Sequence, residues 1–170
     1  TGERVSNVVI MGSGEPMDNY DNVIRFLRLI SHEKGLNISQ RNLTVSTCGI
    51  VPGILKFAKE GLQVTLALSL HAPNDEVRKT LMPVANSYRL EDILDACHTY
   101  FEATGRRLTF EYSLVKGVND NLKEAAALTK LIKDQHGHVN LIPVNPIKER
   151  DYVQSDRRAI EAFLNYLEDH

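Results

Sequence analysis

Five short stretches carry residue types that could do chemistry beyond packing. Gly12-Ser13-Gly14-Glu15-Pro16 sets a carboxylate between glycines and a proline. The glycines let a backbone come close to a ligand, Glu15 can meet a ligand ammonium or hydroxyl, and Pro16 stiffens the corner. Ser46-Thr47-Cys48-Gly49 offers hydroxyls suited to a carboxylate or a ribose. Ser69-Leu70-His71-Ala72-Pro73-Asn74 presents an imidazole able to donate to or accept from a nucleoside. Gly117-Val118-Asn119-Asp120-Asn121 is a further polar corner. Asn145, held between Pro143 and Pro146, has an amide that can pair both ways with a purine edge or a carboxylate.

Each stretch also has a plainer reading, and spacing alone does not choose between them. Glu15 can cap the helix that follows, and Ser46 and Thr47 can be ordinary helix caps. His71 can be a satisfied structural histidine, and Asn145 can form an Asx turn. A lone Gly-x-Gly is weak evidence, and no fuller dinucleotide fingerprint follows it. Cys48 adjoins no histidine or basic residue, which favours a small buried filler over a reactive thiol. Glu111 and Glu124 show no paired-carboxylate spacing. Arg78-Lys79, Arg106-Arg107, Lys148, Arg150, Arg157 and Arg158 form local basic groups that read first as solvated surface.

The elements that must position these residues follow from periodicity. Residues 5–11 are short, apolar and β-branched, while Tyr20, Val23, Ile24, Leu27 and Ile30 recur at helical spacing behind Asp18 or Asn19 as a cap. The alternation continues with strands at 43–47, 64–70, 108–115 and 139–142. Helices are expected at 50–59, 75–81, 90–102, 122–135 and from about Ser155, where Ile160, Phe163, Leu164 and Leu167 share a face. Gly61 and Gly105 stand where helices end. Five β-α units in a row imply a parallel sheet. All five polar corners then fall at carboxyl ends of strands, the rim where α/β folds bind ligands. Doubly wound sheet and β/α barrel both remain open on this ground.

The 170 residues are 42% hydrophobic and 25% charged, the profile of one globular domain with a proper core. A net charge of −2 offers no general attraction to phosphate polymers. Two cysteines, Cys48 and Cys97, make neither a disulfide framework nor a metal ladder, so a reducing, cytoplasmic setting is the default. No apolar run reaches the roughly 20 residues of a membrane span. An eight-unit barrel of about 250 residues exceeds this length. A start without methionine almost on a strand, and a stop on a helix, suggest an excerpt.

Taken in order, "GSGEPMDNYDNV", "STCGIVPG", "LALSLHAPNDEVRKTLMPV", "GVND" and "IPVNP" resemble the radical S-adenosylmethionine methyltransferases that act on adenine in RNA. The likeness covers essentially the whole chain. It implies a parallel (β/α) partial TIM-type barrel of about five units, truncated at both ends. Pro16 after the motif glutamate favours the branch that methylates carbon 2 of adenine in 23S rRNA and tRNA; the branch acting on carbon 8 tends to have alanine there. By the same resemblance Gly14, Glu15, Ser46, Ser69, Leu70, His71 and Asn145 fall on S-adenosylmethionine-binding positions, with Glu15 holding the amino group.

The resemblance further implies a 4Fe–4S cluster, a methyl-carrying cysteine and an external electron donor. The cluster cysteines should precede residue 1 and the methyl carrier should follow residue 170. Cys48 and Cys97 match neither role, so no catalytic residue and no metal ligand is assigned here, and the segment alone is expected to lack turnover. Two rivals stand beside this expectation: another radical enzyme such as a glycyl-radical activase, and a non-catalytic nucleoside-binding module.

Overall fold

The computed structural model describes residues 2–145 and 151–170. Five strands form one parallel sheet in the order β1-β2-β3-β4-β5: β1 Val8–Ile10, β2 Leu43–Thr47, β3 Thr65–Ser69, β4 Leu108–Leu114 and β5 Gly137–Pro143. Because spatial order equals chain order, every crossover packs its helix on the same face, and the sheet winds as a barrel wall instead of a doubly wound layer. The sheet is not closed. The partial barrel is therefore the architecture, and the doubly wound alternative falls.

The helices are α1 Tyr20–Ser31, α2 Val51–Ala58, α3 Asp75–Leu81, α4 Leu90–Thr104, α5 Leu122–Ile132 and α6 Arg157–Asp169. On α1, Ile24, Leu27 and Ile30 are buried, with Tyr20 and Val23 packed beside them, as the spacing required. On α6 the expectation fails at Leu164, which is 41% exposed; Phe163 is fully buried, and Ile160, Tyr166 and Leu167 pack against it instead. Single apolar residues on a solvated helix face are common. Strand β1 is shorter than expected, because only 8–10 pair with β2. Strand β5 is longer, since all of 137–143 find partners on β4.

Alternation along β4 separates two environments. Leu108, Phe110, Tyr112 and Leu114 are fully buried in the layer beneath the helices. Thr109, Glu111 and Ser113 point to the opposite, concave face. There Glu111 accepts from Asn140 Nδ2 on β5 at 2.8 Å, so its carboxylate is partnered by an amide in the adjacent register position. The sheet is thus apolar toward the helices and polar toward the barrel interior, and the parallel order brings all five carboxyl ends to one edge.

Asn74, Asn121 and Asp156 cap α3, α5 and α6 through side-chain acceptors to Val77 N, Glu124 N and Ala159 N. Such caps are each worth about 1 kcal/mol. Among the described residues no helix is long and apolar enough to cross a membrane.

Candidate functional site

Between the ends of β1, β2 and β3 the rim encloses a cavity of about 460 Å³. That is within the range of small-molecule sites. Gly12, Ser13, Gly14 and Glu15 form one wall, Ser46, Thr47 and Cys48 another, and Ser69 the floor. Gly14 has φ +90°, a conformation L side chains rarely adopt, and the space beside its Cα is empty. The backbone there lies open to a ligand.

Glu15 is fixed before any ligand arrives. Its Oε1 accepts from Met17 N at 3.0 Å and from the Thr47 hydroxyl at 2.8 Å, and its Oε2 accepts from Cys48 N at 2.7 Å. The first bond caps a 3₁₀ turn at Pro16–Asn19, so the capping reading of Glu15 holds, and it coexists with a place in the cavity wall. A carboxylate offers about four acceptor positions. Strong donors fill three of them, and the Cys48 thiol lies beside the carboxylate as a weak donor. Burial, together with Glu15 as acceptor and as neighbouring charge, pushes the Cys48 pKa up to about 12. The thiol stays protonated, consistent with a filler and not with a nucleophile.

The turn that carries Glu15 is braced from below. Met17 is buried, and a Cβ on Gly53 of α2 would meet the Met17 Cβ at 2.7 Å. Glycine at 53 is what allows α2 to approach this closely. The helix-cap alternative for Ser46 and Thr47 is not realised, because the Thr47 hydroxyl accepts from Gly49 N at 3.1 Å while donating to Glu15. Residue Ile50 takes the cap position of α2 with no side-chain cap.

Four of the seven expected ligand positions line the cavity: Gly14, Glu15, Ser46 and Ser69. Leu70 and His71 follow Ser69 along the chain but do not line the cavity. Leu70 is fully buried, its N–H donates to Glu111 O at 3.0 Å and its carbonyl accepts from Arg78 Nε at 3.2 Å. His71 takes a left-handed φ of 58°. Its N–H donates to Glu111 O at 3.1 Å, and its ring Nδ1 accepts from Ser113 N at 3.0 Å. Burial, with the nearby Arg78 cation, lowers its pKa to about 4, so the ring is neutral at physiological pH. Asn145 lies exposed just past β5 and does not line the cavity. Its neighbour Pro146, with Lys148 and Arg150, lies outside the described residues.

Two residues at this rim escape a reading of the sequence. Arg78 was expected as solvated surface and is instead fully buried. Its guanidinium donates to Cys48 O at 2.7 Å, Ser69 O at 3.2 Å and Leu70 O at 3.2 Å, tying the ends of β2 and β3 together beneath the cavity. Burial lowers its pKa from the ordinary arginine value. The only available signal was its place on α3, three residues after Asp75 in the first turn that Asn74 caps. Asn119, also fully buried, links the His71 loop to the end of β4. Lys79, Arg107 and Arg158 are exposed as expected, and Arg157 pairs with Glu161 on the surface of α6. Arg106 departs from the expectation, being half-buried with its guanidinium donating to Arg41 O and Thr65 Oγ1.

The described residues do not fit an iron–sulfur cluster. Among them no group of three metal-binding side chains converges. Cys48 is held against Glu15, and Cys97 is sealed in the core with its pKa raised by burial to about 12.

Residues 2–129 match the Radical SAM superfamily. The chain is 64% identical over 168 residues to "Probable dual-specificity RNA methyltransferase RlmN" of Lachnospira eligens, covering 99% of this chain and 48% of that protein. A protein of the same name from Lachnoclostridium phytofermentans is also 64% identical, with 99% and 47% covered. The chain thus spans about half the length of the curated relatives it matches. Among solved structures, a radical SAM methyltransferase from Sphaerobacter thermophilus superposes with TM-score 0.95 at 42% identity, covering 99% of this chain and 49% of that one. A domain of a pyruvate-formate lyase-activating enzyme from Bacteroides vulgatus superposes with TM-score 0.72 at 16% identity, over 97% and 94% of the two chains, a likeness of fold alone. The open parallel barrel, the glycine-rich rim and the family match agree: this chain belongs to the Radical SAM superfamily.

Proposed function

We propose that this chain is the S-adenosylmethionine-binding barrel segment of a methyltransferase that modifies carbon 2 of adenine in 23S rRNA and in tRNA. The observation that carries the reading is the prearranged Glu15 carboxylate. Three strong protein donors hold it at the wall of a 460 Å³ cavity, with the weak Cys48 thiol donor beside it. A ligand ammonium competes well with that thiol, because it brings a full positive charge to the carboxylate where the thiol is a neutral and weak donor. The names carried by the 64% identical relatives support RNA as substrate.

In this reading Glu15 takes the amino group of S-adenosylmethionine and Gly14 lets the backbone approach it. Ser46 and Ser69 bond its polar atoms from the β2 and β3 ends, and His71 contributes its ring from beyond the β3 end. Leu70 contributes its backbone at the β3 end, Arg78 holds that end in place from beneath, and Asn145 reaches the ligand from the end of β5. S-adenosylmethionine supplies the methyl group and, with a 4Fe–4S cluster, a radical route to an aromatic carbon too weakly nucleophilic to attack a sulfonium. The residues described here bind and orient it. The cluster cysteines and the methyl-carrying cysteine would lie in the parts of the relatives this chain does not span, and electrons for the cluster would come from an external donor. An RNA substrate sets the reaction in the cytoplasm.

The test is calorimetric titration of the full-length protein with S-adenosylmethionine. Replacement of Glu15 by Gln, which keeps the shape and removes the charge, should weaken binding at least tenfold. An unchanged affinity overturns the site. Mass spectrometry of RNA after turnover should yield 2-methyladenine; 8-methyladenine as the product overturns the choice of carbon 2. Nothing in the structure favours the glycyl-radical activase beyond a shared fold.

A further inference from the structure

We infer that Asn119 is a positioning residue that holds His71 as the neutral tautomer protonated on Nε2, with that N–H offered to an acceptor atom of the bound ligand. The second half rests on the S-adenosylmethionine reading above; the first does not.

The tautomer follows from one bond. Ser113 N–H can only donate, and it points at His71 Nδ1 from 3.0 Å, so Nδ1 must present a lone pair and the proton must sit on Nε2. Charging the ring would set an Nδ1–H against that N–H, which adds to the effect of burial and of Arg78 in keeping the imidazole neutral. Among the described residues nothing pairs with Nε2, which leaves its N–H for a partner from outside.

Asn119 fixes where that N–H stands. Its Nδ2 donates to His71 O at 2.7 Å and to Ser113 O at 2.7 Å, and its Oδ1 accepts from Val115 N at 2.7 Å. Turned over, the amide would face two carbonyls with its oxygen and an N–H with its NH₂, so only one orientation satisfies the site. The Tyr112 hydroxyl donates to Asn119 O at 3.0 Å and pins its backbone. One buried amide therefore clasps the carbonyl of His71 and the residue whose N–H reads the His71 ring. This clasp holds His71 at its left-handed φ of 58°, a conformation that costs on the order of 1 kcal/mol or more without support.

The experiment is a long-range proton–nitrogen NMR correlation on the full-length protein with ring-¹⁵N histidine, the His71 signals being assigned by their loss in His71→Gln. The wild type should show Nε2 as the protonated, pyrrole-like nitrogen and Nδ1 as the bare, pyridine-like one. A protonated Nδ1 overturns the tautomer. Asn119→Asp keeps the size and the Val115 acceptor but sets a carboxylate oxygen against the two carbonyls; Asn119→Ala removes the clasp. Each should shift both His71 nitrogens toward averaged values and weaken S-adenosylmethionine binding about five- to tenfold. The wild-type pattern persisting in both variants overturns the role of Asn119. Saturation with S-adenosylmethionine should move the Nε2 signal; binding that leaves it in place overturns the donor half. If no binding occurs at all, the proposed function fails and the donor half with it, while the tautomer and the clasp are decided by the first two measurements.

Discussion

The two halves of the rim solve different problems with similar residues. At the ends of β1 and β2, Glu15 faces a cavity, and glycines leave the backbone bare. At the ends of β3 and β4, Arg78 and Asn119 are fully buried and spend their hydrogen bonds on carbonyls and an N–H of neighbouring loops. The first half leaves backbone and cavity open; the second ties loops together through buried side chains, although the buried Arg78 Nη1 has no partner among the described residues. His71 stands at the join, its Nδ1 committed to the protein and its Nε2 open.

Breaking the committed half should cost the most stability. Arg78→Met removes a buried donor from three carbonyls, each of which then loses a bond worth about 1 kcal/mol or more. A loss of roughly 3 kcal/mol is expected in urea unfolding. A change within experimental error would show that the strand ends do not need the clamp.

The next effect is set by pH. His71 has its pKa depressed to about 4 in the folded chain, below an unfolded value near 6.5. Between these values the unfolded chain binds the extra proton, so this contribution to stability is fully present above pH 6.5 and fades as pH falls toward 4. Unfolding midpoints should therefore drop less steeply over that interval in His71→Gln than in the wild type. Parallel curves would place the ring in a less buried setting.

In the ligand-facing half the order reverses. Glu15→Gln should cost about 2 kcal/mol of stability, since the amide keeps an acceptor for Met17 N and the Thr47 hydroxyl but sets its NH₂ against the Cys48 N–H. The change that costs less in unfolding than loss of the Arg78 clamp is the one expected to weaken ligand binding most. Smallest of all is Arg89→Ala, which removes an exposed pair with Glu91 at 2.6 Å and should shift the unfolding free energy by under about 0.5 kcal/mol.

How far the sequence could be read differs between these halves for the same reason. Glu15 stood out because glycine and proline flank an acid in a strand-to-helix turn, although that spacing left a capping role equally open. Arg78 was not, because an Arg-Lys pair on a helix looks the same whether it faces water or three carbonyls. Leu164 was assigned to the buried face by spacing alone, although α6 needs only Phe163 and its neighbours to cover the sheet.

The strand and helix order, the parallel sheet and the polar corners at strand ends were determined by the sequence, because hydrophobic period and turn chemistry are local properties of the chain. The direction each polar group faces was decided only by the tertiary structure. A carboxylate becomes a prepared site, or an arginine a clamp, through donors and acceptors brought from loops 30 or more residues away, as between Glu15 and Cys48 or between Arg78 and Cys48. No local pattern records those distances.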